Sequence, residues 1–193
     1  MSSWIAGNRY LSQAEMENNV DILYDYFARR GWQKQSMAAM FGNMQHESFI
    51  NPGIWESLTP YSGGFGLVQW TPYTKFSSWA GSDWLTAYDK QPQRIQYELD
   101  NGLQWEDYRY GTATPGLTFA QFAYNENPGL SLPALTQAFM EHYENPAAAT
   151  ANLAARVQYA NTWFNYILTK PEPSASTIPI WLLFKIRWKR MEL

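Results

Sequence analysis

Apolar residues recur at helical spacing in one stretch of the first third of the chain. At positions i, i+3, i+4 and i+7 stand Met37, Met40, Phe41 and Met44. This spacing gathers side chains on one face of an α-helix. The pattern therefore predicts a helix over about residues 33 to 47 whose apolar face lies in the core.

The rest of the chain up to residue 169 is also mainly helical in pattern. Ser12 and Glu15 form a Ser-x-x-Glu capping box, which predicts the start of a first helix that ends near Arg29. Residues 49 to 75 are expected to form loops with a small β-hairpin. Further helices are predicted over 82 to 89, 91 to 101 and 118 to 124, from Pro133 onward, and over 147 to 168. The predicted fold class is therefore mainly α with a small β-hairpin (α+β), in one domain over residues 1 to 169.

The last part of the chain differs in composition from this domain. Residues 170 to 177 are rich in Pro and Ser and are expected to form a linker. Residues 178 to 193 form an amphipathic basic segment, in which an apolar run precedes interleaved cations and apolar side chains. The run is far shorter than the ~20 residues of a membrane-spanning helix. The segment suits a membrane surface or a partner protein, and equally a position folded back on the domain.

Composition narrows the chemistry that the chain can carry. Apolar residues make up 46% and aromatic residues 17%, which is ample for a packed core and for rings that stack on sugars. Cysteine is absent, which excludes disulfides and thiolate nucleophiles. His46 and His142 lie far apart, and the second His of the helical zinc motif is missing, so we expect no metal and no cofactor.

The net charge indicates which partners the chain can bind, and its first residues indicate whether a signal peptide is present. A net charge of −3, with Lys and Arg scattered until the last few residues, gives no support to nucleic acid as a partner. No basic region followed by an apolar run stands at the start, so no signal peptide is predicted.

Glu47 stands out because of its place at the end of the predicted helix. It projects within about 20° of Met40, on the flank of the apolar face. Partial burial and the negative end of the helix dipole both favour a neutral carboxyl group, so we expect the pKa of Glu47 to be raised. A carboxylic acid kept neutral near pH 6 to 7 suits general acid catalysis.

A glycine-rich segment, Gly63-Gly64-Phe65-Gly66-Leu67-Val68-Gln69-Trp70-Thr71, follows this acid. Its three glycines permit positive φ angles and a close approach of another backbone. It lacks the final glycine and the Lys of the phosphate-binding fingerprints, so a nucleotide loop is rejected.

Together these residues resemble a known family. Glu47-Ser48 followed by Gly66-Leu67-Val68-Gln69 is similar to the first two motifs of the lysozyme-like superfamily, which includes goose-type lysozymes and soluble lytic transglycosylases. The run from Gly42 to Pro72 looks more closely like the phage tail lysozyme domain, and the likeness extends over about residues 8 to 168. This resemblance implies a lysozyme-like fold in which the hairpin forms the cleft wall opposite the acid.

The resemblance also implies roles for individual residues. Glu47 would be the general acid, and Gln69 would bond the substrate or that acid. Phe65 and Trp70 would stack on sugars, although Trp70 also suits the core. Ser48 is grouped with the substrate-binding residues, and it suits a bond to the preceding helix turn or cleft wall better than the role of a nucleophile.

Two assignments stay open at this point. A second catalytic carboxylate has three candidates, Glu56, Asp83 and Glu144, and the transglycosylase relatives need none. For the third superfamily motif, Ala123-Tyr124-Asn125 competes with Tyr143-Glu144-Asn145-Pro146. Because the rest of the chain resembles the phage tail family, Tyr143 and Glu144 are favoured as substrate-binding residues.

The resemblance implies a hydrolase that cleaves the β-1,4 bond between N-acetylmuramic acid and N-acetylglucosamine in peptidoglycan. The alternatives are a lytic transglycosylase, which leaves 1,6-anhydro ends, and a non-catalytic wall-binding tail module. The expected partner is the glycan strand of the wall, and the expected location is the virion tail or the host cell wall. Residues 178 to 193 would then contact tail proteins or a membrane surface.

Overall fold

The structure is a computed structural model that describes residues 3–107, 111–125, 129–147 and 152–171. Within these ranges the chain forms seven α-helices, with a 3-10 turn over Glu56–Leu58 and a π-helical turn over Met140–Glu144. The helices are α1 (Gln13–Ala28), α2 (Lys34–Ser48), α3 (Thr74–Ala80), α4 (Lys90–Asp100), α5 (Phe119–Tyr124), α6 (Leu132–Phe139) and α7 (Leu153–Leu168).

Helix α2 is the centre of the fold. The four residues of its predicted apolar face are fully buried, as expected from their spacing. Its other faces are also covered, because Ala38, Ala39 and Asn43 have no exposed surface. Helices α7 and α6 pack along it, and α1 and α5 contact it as well. A helix buried on all sides has little freedom to move, which suits it to hold a functional group at its end.

The first helix begins as its capping box predicts. The Ser12 backbone N–H donates to Glu15 Oε2 at 2.8 Å, so an otherwise unpaired amide at the helix start is satisfied.

Helix α7 runs antiparallel to α2, and a glycine sets their close approach. A Cβ placed on Gly42 would lie 2.6 Å from the Arg156 carbonyl oxygen and 2.7 Å from the Ala160 nitrogen. At the other end of α2, Lys34 Nζ donates to the carbonyl oxygens of Leu168 at 3.3 Å and Lys170 at 2.8 Å. The two helices are therefore joined at both ends.

The predicted β-hairpin is wrong for the described residues. Only isolated antiparallel bridges pair Phe65 with Trp55 and with Trp70. Positive φ angles at Gly63, Gly66 and Gln69 interrupt the extended backbone before a ladder can form. The segment is a compact glycine-rich loop, and the described part of the fold is helical.

Helix boundaries differ from the prediction in two places. The short helix expected over 82 to 89 is a series of turns, whereas α3 forms earlier, at Thr74–Ala80, with Phe76 and Ala80 buried. The last helix begins at Leu153 rather than at 147, and residues 148 to 151 lie outside the described ranges.

The expectations for the end of the chain stay predictions. Most of the predicted linker and the whole segment 178 to 193 lie outside the described residues. Within the described part, no helix has both the length and the apolar character needed to cross a membrane.

Candidate active site

A cleft of about 580 Å³ opens at the C-terminal end of α2. Three segments form its walls: the end of α2, the glycine-rich loop, and the chain that follows the π-helical turn. Its lining includes polar or ionisable side chains, among them Glu47, Gln69, Glu144 and His46, and aromatic rings, among them those of Tyr10 and Phe49.

Glu47 lies in this cleft and is paired with a buried arginine. Its side chain is 22% exposed, and Arg156 of α7, which is 3% exposed, donates through Nη2 to Glu47 Oε1. Arg156 Nη1 donates to Asn43 Oδ1 at 2.8 Å. Since Asn43 and Glu47 stand four residues apart on α2, they share one helix face and receive the same guanidinium.

The charge state of Glu47 differs from the prediction. Burial favours its neutral form, but the His46 ring and the Arg156 guanidinium together outweigh burial, so the pKa of Glu47 lies below its ordinary value of 4.5. His46 Nδ1 lies 3.7 Å from Glu47 Oε1. The site therefore favours the ionised form of Glu47, and the expected rise in its pKa is wrong.

Glu144 is the neutral carboxyl group of the cleft. Its Oε1 atom is buried and receives no hydrogen bond from the described residues. Burial and the nearby charge of Glu47 raise its pKa well above 4.5. The π-helical turn that ends α6 and the left-handed Asn145, at φ 47°, direct the chain into the cleft here. The site thus combines an ionised Glu47 beside Arg156 with a Glu144 whose surroundings favour the protonated form.

Ser48 joins the end of α2 to the glycine-rich loop. Its hydroxyl donates to the carbonyl oxygens of Met44 at 2.9 Å and Leu67 at 2.7 Å. The expected bond to the preceding helix turn is present. Because Ser48 is fully buried, it positions the loop and does not suit direct contact with a substrate.

Gln91 fixes the same loop from α4, and no local pattern in the sequence indicates this contact. Its Oε1 accepts the Leu67 N–H at 2.8 Å, and its Nε2 donates to the Pro52 carbonyl oxygen at 2.6 Å. Gly66, at φ 81°, allows this approach, since a Cβ there would lie 2.5 Å from Gln91 Oε1.

Gln69 faces the cleft from the loop. Its Nε2 donates to the carbonyl oxygens of Gly66 at 2.9 Å and Ile54 at 3.3 Å. The amide nitrogen therefore holds the loop in shape. A role for Gln69 toward the substrate stays a prediction.

The aromatic residues of the loop are supports and not exposed platforms. Phe65 is fully buried and Trp70 is 2% exposed, with Trp70 Nε1 donating to Glu98 Oε1 at 3.2 Å. Neither ring offers a free face for the sugar stacking that the resemblance implied. Tyr10 and Phe49, which the sequence did not single out, are the exposed rings of the cleft at 58% and 36%.

Tyr143 is held beneath the cleft by Glu98. Its hydroxyl donates to Glu98 Oε2, and Arg94 Nε donates to Glu98 Oε1 at 2.7 Å. Burial and the neighbouring carboxylate raise the pKa of Tyr143 well above 10, and burial raises that of Glu98. Since Tyr143 is 1% exposed, it suits a supporting role more than direct substrate contact. The sequence does not indicate that Glu98 supports the site, because Tyr143 and Trp70, which it contacts, lie on other segments of the chain.

Glu56 and Asp83, the other two candidates for a second catalytic carboxylate, differ in whether they line the cleft. Glu56 borders the cleft, but its Oε2 accepts the Gly64 N–H at 2.8 Å. Asp83 does not line the cleft and pairs with Lys90 at 2.6 Å.

The two versions of the third motif lie at opposite ends of α2. Asn125 Nδ2 donates to Gln35 Oε1 at 3.4 Å, next to the start of the helix. Glu144 lines the cleft at the other end, with Glu47. Within the described ranges, no group of three or more His, Asp or Glu side chains could hold a metal ion.

Comparison with known proteins identifies the family of this chain. The model of a family described as phage tail lysozyme matches residues 18–167. The chain is also 40% identical over 167 residues to morphogenesis protein 1 of Bacillus phage B103, an alignment that covers 84% of this chain and 43% of that protein. The chain thus spans less than half of that relative's length. The resemblance found in the sequence is confirmed, and the chain belongs to the phage tail lysozyme family.

Proposed function

We propose that the chain cleaves the glycan strands of peptidoglycan at the β-1,4 bond between N-acetylmuramic acid and N-acetylglucosamine. The observation that carries this proposal is the position of Glu47. It is a largely buried carboxyl group at the end of a rigid helix, and it faces an open cleft. Membership of the phage tail lysozyme family supports the same substrate.

The chemistry needs a proton for the leaving oxygen of the bond. Glu47 pairs with Arg156, whereas burial and the charge of Glu47 favour the protonated form of Glu144. A bound strand covers the exposed part of Glu47, and this loss of water favours the neutral form of its carboxyl group. We propose that Glu47 then takes a proton from Glu144 and donates it to the leaving oxygen as the C–O bond breaks, and that a water molecule adds to the anomeric carbon and returns one proton to the pair.

A Glu47→Gln variant tests the proposal. Glutamine has nearly the same shape but donates no acidic proton, so the rate of clearing of purified peptidoglycan should fall by about a hundredfold or more. An Asp83→Asn variant changes a carboxylate outside the cleft and should clear the wall at the unaltered rate. Full clearing by a folded Glu47→Gln protein would refute the role of Glu47.

The products separate the proposed hydrolysis from the alternatives. Hydrolysis leaves a reducing sugar, whereas a transglycosylase leaves a 1,6-anhydro end that is lighter by one water. Mass spectrometry of the soluble fragments distinguishes them. A wall-binding module would bind the wall and release no fragments.

We also propose that the protein acts from the virion tail. The family name and the name of the phage B103 relative, a morphogenesis protein, support this location. Residues 178 to 193 would then contact tail proteins or a membrane surface.

A further inference from the structure

Tyr10 and Phe49 form an exposed aromatic pair on the rim of the cleft. Their ring centroids lie 4.7 Å apart with the planes at 44°. Both residues line the cleft that contains Glu47, and more than a third of each remains accessible. Most other large rings of the described domain are packed against the core, so this pair is unusual in being left open.

The backbone of Phe49 makes its exposure more informative. Phe49 ends α2 in the left-handed conformation, at φ 54° and ψ 36°. Glycine is the usual residue in this cap because a Cβ is strained there. More than a third of Phe49 stays exposed, so burial of the ring offsets this strain only in part. Strained residues of this kind cluster at ligand sites.

The position of the pair identifies the part of the substrate that it would contact. Phe49 follows Glu47 by two residues, so their backbones are within about 7 Å of each other. Both side chains also line the same cleft, so a strand that reaches Glu47 passes close to the Phe49 ring. Sugar rings present an apolar face of C–H groups, and exposed aromatic side chains offer a matching surface with low conformational entropy.

We infer that Tyr10 and Phe49 bind one N-acetylhexosamine ring of the glycan strand, next to the bond that Glu47 cleaves. This inference rests on the proposed function, since it takes the strand to cross the cleft at Glu47. It assigns the stacking contact to these two rings in place of Phe65 and Trp70, which are buried.

The test measures the affinity for glycan strands from Bacillus peptidoglycan that have been freed of their peptides by an amidase. All proteins carry Glu47→Gln so that the strands stay intact during calorimetry. Phe49→Gly and Tyr10→Ala should each weaken binding by roughly tenfold. Phe49→Gly should change the melting temperature little, because the strain that glycine relieves at this cap offsets the loss of the partly buried ring.

Tyr61 provides a matched control. It also has a positive φ, 60°, is 62% exposed, and does not line the cleft. Tyr61→Gly should bind the strands as the Glu47→Gln parent does.

Equal affinity of the Phe49→Gly protein and the parent, or an equal loss in Tyr61→Gly, would overturn the inference. If the wild-type chain digests the wall while Phe49→Gly binds normally, only this inference fails. If the wild type does not digest and the parent does not bind, the proposed function fails with it.

Discussion

Glu47 and Glu144 face one cleft but differ in charge because their partners differ. Arg156 reaches Glu47 directly and favours its ionised form. Glu144 Oε1 is buried and receives no hydrogen bond from the described part of the chain, so ionisation would place a second negative charge near the first. Two interacting carboxyl groups of this kind lose their protons as a pair, and the first proton leaves more easily than the second.

Replacing Glu144 by glutamine should change how stability depends on pH. The pKa of Glu144 is raised above 4.5 in the folded state. Its contribution to the free energy of unfolding is therefore complete below pH 4.5 and is lost as pH rises through the folded pKa. Relative to the wild type, Glu144→Gln should therefore become more stable as pH rises from 4 to 8. Denaturant unfolding across this range measures the difference.

Glu15 gives a control of opposite sign. Arg9 and the Ser12 amide lower the pKa of Glu15 to about 2, so its contribution is present above pH 4.5 and is lost as pH falls. Glu15→Gln should be less stable than the wild type at neutral pH, with the difference vanishing near pH 2. A Glu144→Gln curve parallel to the wild type would contradict the proposed proton on Glu144.

The position of Glu47 could be predicted from the sequence, but its charge could not. The helical spacing and the Glu-Ser motif are local signals, and both point to the same residue. Arg156 stands 109 positions later, and it reaches Glu47 only because α7 lies across α2. Pairings of this kind depend on tertiary packing, and a single sequence carries no record of them.

At the scale of elements, the contact between α2 and α7 builds the site. Gly42 lets the backbone of α7 approach, and Arg156 then enters between Asn43 and Glu47. Asn43 Nδ2 donates to the Thr136 carbonyl oxygen at 3.1 Å, which adds α6 to the same junction. One helix crossing therefore sets both the packing of the core and the charge of the acid.

Gly42→Ala tests this crossing. The added methyl group would meet backbone atoms at 2.6 and 2.7 Å, which cannot rotate away, so the helices must separate. We expect a loss of about 1–3 kcal/mol in unfolding free energy, although alanine favours the helix by up to about 1 kcal/mol. Chemical denaturation measures this loss.

Gly129→Ala is the matched control, because a Cβ there meets no atom within 4 Å. Its stability should stay within about 0.5 kcal/mol of the wild type. An unchanged Gly42→Ala protein would show that the crossing tolerates a wider separation.

The elements themselves were predicted unevenly. Long helices with a regular apolar face, such as α1 and α2, were found close to their observed bounds. The sequence predicts a hairpin for the glycine-rich loop because its apolar residues favour an extended backbone. Its true shape depends on Gln91 and Ser48, which fix it from α4 and α2, and these contacts have no local signal.

At the scale of the whole molecule, the described domain closes where its last helix ends. Tyr24 donates to the Pro171 carbonyl oxygen at 3.1 Å, and Lys170 pairs with Asp21 at 2.7 Å. These contacts hold the end of α7 against α1. The family match covers residues 18–167, and the domain boundary at residue 169 stays a prediction.

Truncation after Pro171 separates the two proposed parts of the chain. The contacts that close the domain remain, so we expect the truncated protein to clear purified peptidoglycan at the rate of the full chain. Incorporation into virions should be lost if residues 178 to 193 contact tail proteins, and immunoblots of purified particles measure this. Unchanged incorporation would contradict the proposed tail contact.

The bonds from Lys34 place the end of α7 beside the start of α2. Lys34 and Glu47 are thirteen residues apart on α2, which corresponds to about 20 Å along the helix. The end of α7 therefore lies on the side of the domain remote from Glu47. A bulky module joined there would sit behind the enzyme as it meets the wall, so its size would not restrict the entry of a long, taut polysaccharide.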